Sequence, residues 1–431
     1  MGDRFVVAGL ARARTDWFRR VGRWATEASI PVEFVRCVSG AELRSRLASG
    51  RPFSAVLVGG DSPGVDRDLL ALAREVNAAP LVVADDPPRD WLQLGAAAVL
   101  PSDLDRTLLV DALTSVATPV RDVELRTGDT VLEPPTGRLG CLVAVTGPGG
   151  TGASTAAMAV AQGLAAADRA VVLADLRRVA ELAMLHDTRV VVPGLQELVD
   201  AHRGIDPPAT TVVDGTFDVP TRGYRLLLGL RRSRQWTTLR PRALEASLAG
   251  LRRAFDVTVA DVDPDVEGEE ETGSVDVEER HLTSRLTLAR ADAVIVVGEP
   301  STKGLYSLAR LLGDLLAFGV PPQRIVTVCN RSPRSARQRA ELTRSLAALL
   351  DGQLGGRELS TPLHLPERRV EAAVRDGIAL PGPLPQDLAA AVQPLLERPR
   401  AAEVLAAAVP VPVAPGSLGL VGSLDDEEDV A

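Results

Sequence analysis

Short apolar runs alternate with segments of helical spacing along most of the chain, a pattern typical of βα units. Five such runs lie in the first 117 residues, and a helical pattern at Asp105–Val116 follows the last of them. The predicted strands are Phe5–Leu10, Val32–Val38, Ala55–Val58, Leu81–Ala84 and Ala97–Leu100. Strands joined by helical crossovers run parallel, so this part of the chain predicts a doubly wound parallel sheet.

The same alternation returns after a polar stretch, residues 119–138, which Pro and Gly interrupt and which predicts an interdomain linker. A second set of strands is predicted at Leu142–Val145, Ala170–Ala174, Val257–Ala260, Ala293–Val297 and Arg324–Cys329, with a late helix at Gln386–Glu397. We therefore expect an α/β protein of two doubly wound parallel-sheet domains, 1–118 and 139–398. The remaining residues, 399–431, are Pro-rich and acidic and predict a disordered tail.

Composition narrows the class of protein without identifying a reaction. The 431 residues carry a net charge of −9, which gives no strong signal for nucleic-acid binding. Three cysteines lack metal-ligand spacing and indicate buried thiols in a reducing compartment. The first residues show no signal peptide, and no apolar stretch approaches the ~20 residues of a transmembrane helix, so we expect a cytoplasmic protein.

A glycine-rich turn carries the clearest chemistry in the chain. It joins the strand Leu142–Val145 to a helical pattern at Ala156–Ala167, which is the context that a phosphate-binding loop requires. Backbone N–H groups of such a turn and of the helix N-terminus bind phosphates. The turn has no lysine, and Lys303 is the only lysine of the chain. The predicted nucleotide-binding residues are Gly147, Gly149, Gly150, Thr151, Gly152, Ala153, Ser154 and Thr155.

Polar residues end three of the following strands. Asp175 and Asp261 each end a strand beside the glycine-rich turn, and Asn330 follows the last clear strand. An acid at the carboxyl tip of a buried strand beside a phosphate loop holds a magnesium ion or its water shell. We therefore expect these three side chains to lie around the bound phosphates.

In this order the motifs resemble those of the MinD/ParA family of deviant phosphate-loop ATPases, over residues 140–398. The resemblance implies that Asp175 is catalytic and positions the hydrolytic water, and that Ser154 and Asp261 hold Mg²⁺ through water. It also implies that Asn330 and Pro366 flank the adenine of ATP or ADP. The two family lysines are replaced by Pro148 and Ala153, and the companion acid of Asp175 is Arg177. Weak nucleotide binding with slow or absent turnover follows, and enzyme activity stays open.

The first domain resembles a response-regulator receiver domain. The segment Ser62–Asp66 is similar to the loop that follows the phosphorylated aspartate, and this alignment places Gly59 at the acceptor position. The acidic pair after the first strand is replaced by Ala11 and Arg12, and the lysine after the fifth strand is missing. A phosphoryl acceptor needs a carboxylate, a metal site and a stabilising cation. The interpretation is a degenerate receiver-like module for protein interaction, with Asp61 as the alternative acceptor.

A receiver-like domain followed by a lysine-poor ATPase-like domain is similar to the CpaE/TadZ group, including actinobacterial septum-site-determining or CpaE-like proteins. This resemblance implies a homodimer that regulates localisation or assembly of a Tad/Flp pilus, secretion or septum-site apparatus. It would contact that machinery through the receiver-like domain at the pole, septum or membrane. The alternatives are an active ParA/MinD-type partitioning ATPase acting with DNA and an activator, or a nucleotide-free scaffold. Lys303 is either a replacement cation or a surface residue.

Overall fold

The computed structural model describes residues 5–12, 15–85, 89–120, 139–188, 190–351 and 359–397. All but the first two residues of the predicted linker 119–138, and the whole predicted tail 399–431, lie outside these ranges. Both sheets described below belong to one compact unit, Met1–Leu396. Among the described residues, none of the helices combines the length and the apolar character needed to span a bilayer.

The first sheet has five strands in the order β2-β1-β3-β4-β5, and every neighbouring pair is parallel. Its elements are β1 (Phe5–Leu10), α1 (Asp16–Thr26), β2 (Val32–Cys37), α2 (Gly40–Ala48), β3 (Ala55–Gly59), α3 (Arg67–Glu75), β4 (Ala79–Val83), β5 (Ala98–Leu100) and α4 (Arg106–Val116). The strand order is that of a doubly wound fold, as the sequence predicted.

The second sheet has eight strands in the order β13-β12-β11-β6-β10-β7-β9-β8. They are β6 (Cys141–Thr146), β7 (Val171–Asp175), β8 (Phe217–Val219), β9 (Tyr224–Leu227), β10 (Val257–Asp261), β11 (Ala293–Gly298), β12 (Ile325–Ser332) and β13 (Leu363–Pro366). All neighbouring pairs are parallel except β8 and β9, which form an antiparallel edge. The predicted α/β class with two parallel-sheet domains is confirmed.

Helices connect these strands and cover the sheet. They are α5 (Ala153–Ala165), α6 (Leu182–Leu185), α7 (Leu195–His202), α8 (Ala209–Asp214), α9 (Pro241–Ala254), α10 (Glu269–Thr272), α11 (Val275–Arg280), α12 (Leu282–Arg290), α13 (Thr302–Ala317), α14 (Ala336–Leu350), α15 (Glu371–Arg375) and α16 (Leu384–Leu396). Single 3-10 turns lie at Ser233–Thr238 and Pro322–Arg324. Apolar side chains between the helices and the sheet form the core on both faces.

The position of β6 in the second sheet determines where a ligand can bind. From β6 the chain passes to β7 on one side and later to β11 and β12 on the other side. Such a reversal of strand order opens a crevice at the carboxyl ends of the strands. The glycine-rich turn follows β6 and therefore lies at this crevice.

Small residues allow α5 to pack closely on its neighbours. Most of α5 is buried, and it lies against α16. A Cβ atom added to Gly163 would lie 2.1 Å from the carbonyl oxygen of Pro385. The Ala- and Gly-rich sequence of this helix therefore fits the close approach of α16.

Aromatic rings fill the space beside the carboxyl end of β3 in the first sheet. A Cβ atom added to Gly59 would lie 3.5 Å from the ring of Trp17, and one added to Gly60 would lie 3.1 Å from the ring of Trp91. Both tryptophans are buried. Asp61 forms an exposed ion pair with Arg12 at 3.3 Å. A crowded acceptor edge is compatible with a receiver-like domain that is not phosphorylated, which stays a prediction.

Charged residues join the first sheet domain to the second. Asp66 precedes α3 and binds Arg203 at the end of α7, with 2.9 Å between Oδ2 and Nη2. Arg67 binds Asp206 at 2.7 Å. The backbone N–H of Arg242, at the start of α9, donates to Asp68 at 2.9 Å. The two sheet domains are therefore connected by specific polar contacts along α3.

Candidate functional site

The glycine-rich turn takes a shape that glycine alone permits at several positions. Gly150 and Gly152 have φ angles of +81° and +89°, in the region that side chains rarely adopt. A Cβ atom on Gly147 would lie 2.4 Å from the carbonyl oxygen of Val297 on β11. The Thr151 hydroxyl closes the turn by donating to the carbonyl oxygen of Pro148 at 2.7 Å. These contacts fix a compact loop between β6 and α5.

The first turn of α5 follows the loop directly and contains the remaining predicted loop residues. Ala153 is buried, and Ser154 and Thr155 are partly buried. The unpaired N–H groups and the dipole of a helix N-terminus favour an anion at this place. The loop therefore keeps the backbone features of a phosphate site, although Pro148 and Ala153 supply no cation.

Two side chains from the end of β12 hold the loop from outside. Asn330 Nδ2 donates to the carbonyl oxygen of Thr151 at 2.8 Å. Arg331 Nη1 donates to the carbonyl oxygen of Gly150 at 3.1 Å and pairs with Glu299 at 3.3 Å. The register of β12 shifts between Cys329 and Ser332, which turns both side chains toward the loop. Sequence analysis did not predict this support of the loop by Asn330 and Arg331.

The proposed contact with adenine is a separate matter. Asn330 is partly buried, and its amide group is engaged with the loop and with the backbone N–H of Arg331. Pro366 ends β13 and lies opposite Ser332 in the sheet, near the same irregular part of β12. The two residues are thus close to each other, and their role toward a base stays a prediction.

Gly152→Ala should destabilise the protein by about 1–3 kcal/mol, because a side chain at this φ is strained. Its Cβ atom would also lie 2.6 Å from Asn330 Nδ2. In an Asn330→Ala background the contact disappears and only the backbone strain stays, so the double variant should be less destabilised than the sum of the single variants. The measurement is urea denaturation of all three variants. Gly149→Ala is the matched control, because its Cβ atom would meet nothing within 4 Å; additive effects would contradict the prediction.

Two buried carboxylates lie side by side at the carboxyl ends of β7 and β10. Asp175 and Asp261 are register partners in the sheet, and both side chains are fully buried. Asp175 accepts hydrogen bonds from the backbone N–H groups of Leu182, at 2.8 Å, and Arg177, at 3.4 Å. Burial, with the negative charge of Asp261, raises the pKa of Asp175 to about 8. Burial also raises the pKa of Asp261 to about 6, although Arg177 and Ser154 oppose the shift.

Arg177 is the cation of this carboxylate cluster. Its Nη1 lies 3.3 Å from Asp261 Oδ1, and its Nε lies 3.4 Å from Asp263 Oδ1. The side chain is 14% exposed. Sequence analysis treated Arg177 only as a missing acid. The spacing of Arg177 two residues after Asp175, and of Asp263 two residues after Asp261, was the signal that could have revealed the pairing.

These residues do not fit a magnesium ion in the arrangement that the structure shows. Ser154 and Asp261 are adjacent, as the prediction requires, but a guanidinium already neutralises the Asp261 carboxylate. Across the described ranges, His, Cys, Asp and Glu form no group of three or more that could hold a metal ion. Magnesium ligation by Ser154 and Asp261 therefore needs Arg177 to move away.

Lys303 lies outside this cluster. It is exposed in the first turn of α13, and it forms no ion pair with any part of the chain that the structure describes. The structure therefore favours the interpretation of Lys303 as a surface residue.

No protein-family model matches the sequence, and no curated protein matches it. Solved structures similar to this chain include a ParA family ATPase from Chlorobium tepidum TLS, which is 16% identical over 61% of this chain and 95% of that chain, with a TM-score of 0.43. A Cyanothece McdA–ATP complex gives 19% identity over 60% and 96%, with a TM-score of 0.44.

A third similar structure is the septum site-determining protein MinD complexed with Mg-ADP from Pyrococcus horikoshii OT3. It is 18% identical over 60% of this chain and 94% of that chain, with a TM-score of 0.42. At these identities and TM-scores the fold is argued from the strand order and the position of the loop, not from the matches.

Proposed function

We propose that this chain is a ParA/MinD-type nucleotide-binding protein that binds ATP or ADP weakly at residues 147–155. The observation that carries the proposal is the position of the glycine loop between β6 and α5, at the crevice where the strand order reverses. Loop backbone and helix N-terminus together favour a phosphate there. Asp175 and Asp261 end the two strands next along the sheet from β6, at the same edge.

Hydrolysis is expected to be slow or absent. Phosphoryl transfer depends on cations that neutralise charge on the transferred group. Pro148 and Ala153 replace the two family lysines, and Arg177 replaces an acid. Asp175 is the proposed catalytic residue, yet its carboxyl group is buried and bound by the Leu182 N–H. A site of this composition is suited to sensing a nucleotide more than to consuming it.

At a finer level, we propose a CpaE/TadZ-like regulator that localises or assembles a Tad/Flp pilus, secretion or septum-site apparatus as a homodimer. The receiver-like domain would contact the protein partner. Gly59 at the acceptor position and the buried Trp17 beside it support an interaction role over phosphorelay. Contacts along α3 would transmit the state of the nucleotide domain to that partner surface.

A nucleotide-free scaffold is the second candidate. It is supported by the side chains that already complete the loop, since Asn330 and Arg331 bond its carbonyl oxygens without a ligand. Arg177 likewise neutralises Asp261 within the chain itself.

Calorimetric titration of the full chain with ATP and ADP, combined with light scattering, should distinguish these functions. Binding with dimerisation and no phosphate release is the expected result, because backbone contacts persist while the cations needed for turnover are absent. Absence of binding would favour the scaffold. Rapid ATP turnover stimulated by DNA and an activator would favour a partitioning ATPase and contradict the proposal. ATP turnover that Asp175→Ala abolishes would also contradict it.

A further inference from the structure

Arg177 occupies the position beside Asp261 at which the sequence predicts a magnesium ion. Its guanidinium bridges Asp261 and Asp263 and is largely buried. We propose that Arg177 replaces the divalent cation of the phosphate site, so that nucleotide binds the loop without magnesium. This inference rests on the proposed nucleotide-binding function and assigns the cation that the site uses.

The backbone around Arg177 holds the guanidinium in place. The N–H of Leu176 donates to the carbonyl oxygen of Asp261 at 3.0 Å. The N–H of Arg178 donates to Asp263 Oδ2 at 2.7 Å. Residues on both sides of Arg177 are thus bonded to β10 and to the segment after it. A side chain fixed in this way loses little entropy when it binds an anion, which suits a permanent cation.

The chemistry of the two cations explains why they exclude each other. Magnesium needs octahedral oxygen ligands at about 2.0–2.1 Å. A guanidinium beside the same carboxylate would repel a divalent ion and block one direction of approach. Arginine stays charged at every physiological pH, and its planar group presents several N–H donors that suit carboxylate and phosphate oxygens. Arg177 can therefore neutralise Asp261 and offer remaining donors to a phosphate.

One atom keeps the proposal open to refutation. Asp261 Oδ2 is buried and forms no hydrogen bond with any described residue. A magnesium ion that binds there despite Arg177 would contradict the replacement. The experiment must therefore measure the metal directly, apart from nucleotide and apart from activity.

The first test uses Mn²⁺ alone as the probe, followed by electron paramagnetic resonance. We expect no Mn²⁺ binding by the wild-type protein, and at least a tenfold gain in affinity for Arg177→Gln, because Asp261 and Asp263 are then free to act as ligands. Arg178→Gln is the matched control, since only the backbone of Arg178 contacts Asp263. Binding of Mn²⁺ by the wild-type protein, or no gain in Arg177→Gln, would overturn the proposal.

The second test compares ATP affinity in Mg²⁺ and in EDTA. The wild-type affinity should change less than twofold between the two buffers. Arg177→Gln should lose about tenfold in EDTA, equivalent to one charge-assisted contact. A wild-type affinity that EDTA abolishes would overturn the magnesium-independent site and leave the nucleotide function intact. Failure of the proposed function would instead appear as no ATP binding in either buffer.

Arg177→Lys shows whether the result depends on folding of the glutamine variant. Lysine keeps the positive charge but not the planar donor group. It should block Mn²⁺ as the wild type does. A lysine variant that binds Mn²⁺ as tightly as Arg177→Gln would show that charge at this position does not exclude the metal, and would overturn the proposal.

Discussion

Asp175→Asn is expected to stabilise the protein at neutral and alkaline pH and to flatten the dependence of its stability on pH. In the wild type the Asp175 carboxyl is fully buried next to Asp261, and these surroundings raise its pKa to about 8. The group is therefore held in its neutral form at pH 7. Asparagine is neutral at every pH and can accept the hydrogen bond from the Leu182 N–H that Asp175 now accepts at 2.8 Å.

The sign of the effect follows from proton binding in the two states. An aspartate of the unfolded chain titrates near pH ~3.9. Between that pH and about 8 the folded protein keeps a proton on Asp175 that the unfolded chain has lost. The free energy of unfolding is therefore highest below the unfolded pKa and decreases as the pH rises toward 8. One such group gives a slope of up to about 1.4 kcal/mol per pH unit.

Urea denaturation of both proteins between pH 5 and pH ~8.5 measures this slope directly. The difference in unfolding free energy between Asp175→Asn and wild type should grow in favour of the variant as the pH rises. Asp256→Asn is the control, because its carboxylate also accepts a backbone N–H, from Ala170 at 2.9 Å, but at an exposed position. Parallel loss of stability in wild type and Asp175→Asn would mean that Asp175 is ionised in the folded protein.

Regular apolar runs were sufficient to predict the central strands of both sheets. β1, β3, β6, β10 and β11 are continuous buried segments, and a strand buried on both faces has no other composition available. The sequence did not predict β8, β9 or β13. These are short edge strands of three or four residues, whose pairing depends on neighbours far along the chain.

The candidate site was predictable in its backbone and not in its side-chain contacts. Glycines after a buried strand, and acids at strand ends, locate the loop and the carboxylates because parallel strands bring their carboxyl ends to one edge. The contact of Asn330 with Thr151 depends on the irregular register of β12, which no local pattern encodes. The pairing of Arg177 with Asp261 joins residues 84 positions apart.

Asp66→Ala is expected to uncouple the two sheet domains and to lower the stability of the first by about 2–4 kcal/mol. Asp66 accepts hydrogen bonds from Arg44 at 2.8 Å and from Arg203 at 2.9 Å, and its side chain is only 5% exposed. It also caps α3 through the Leu69 N–H at 3.0 Å. Removing the shared carboxylate leaves two arginines unneutralised. The expected loss is below the ~3–5 kcal/mol of a fully buried pair, because both arginines reach solvent.

Tryptophan fluorescence makes this prediction measurable domain by domain. Trp17, Trp24 and Trp91 lie in the first sheet domain, and the fourth tryptophan of the chain, Trp236, lies in the second. In Asp66→Ala the fluorescence transition should therefore move to lower denaturant concentration and separate from the transition seen by circular dichroism.

Two further variants separate the contributions of Asp66. Asp66→Asn keeps an oxygen that can accept the Leu69 N–H and loses the charge, so its difference from Asp66→Ala gives the capping contribution, about 1 kcal/mol. Glu75→Gln removes a neighbouring ion pair across the same interface, where Arg242 and Glu75 are 46% and 53% exposed, and should change stability by less than about 1 kcal/mol. If Asp66→Ala behaved like Glu75→Gln, the carboxylate would contribute no more than a surface ion pair. A separated fluorescence transition means instead that burial of Asp66 makes the two domains unfold together.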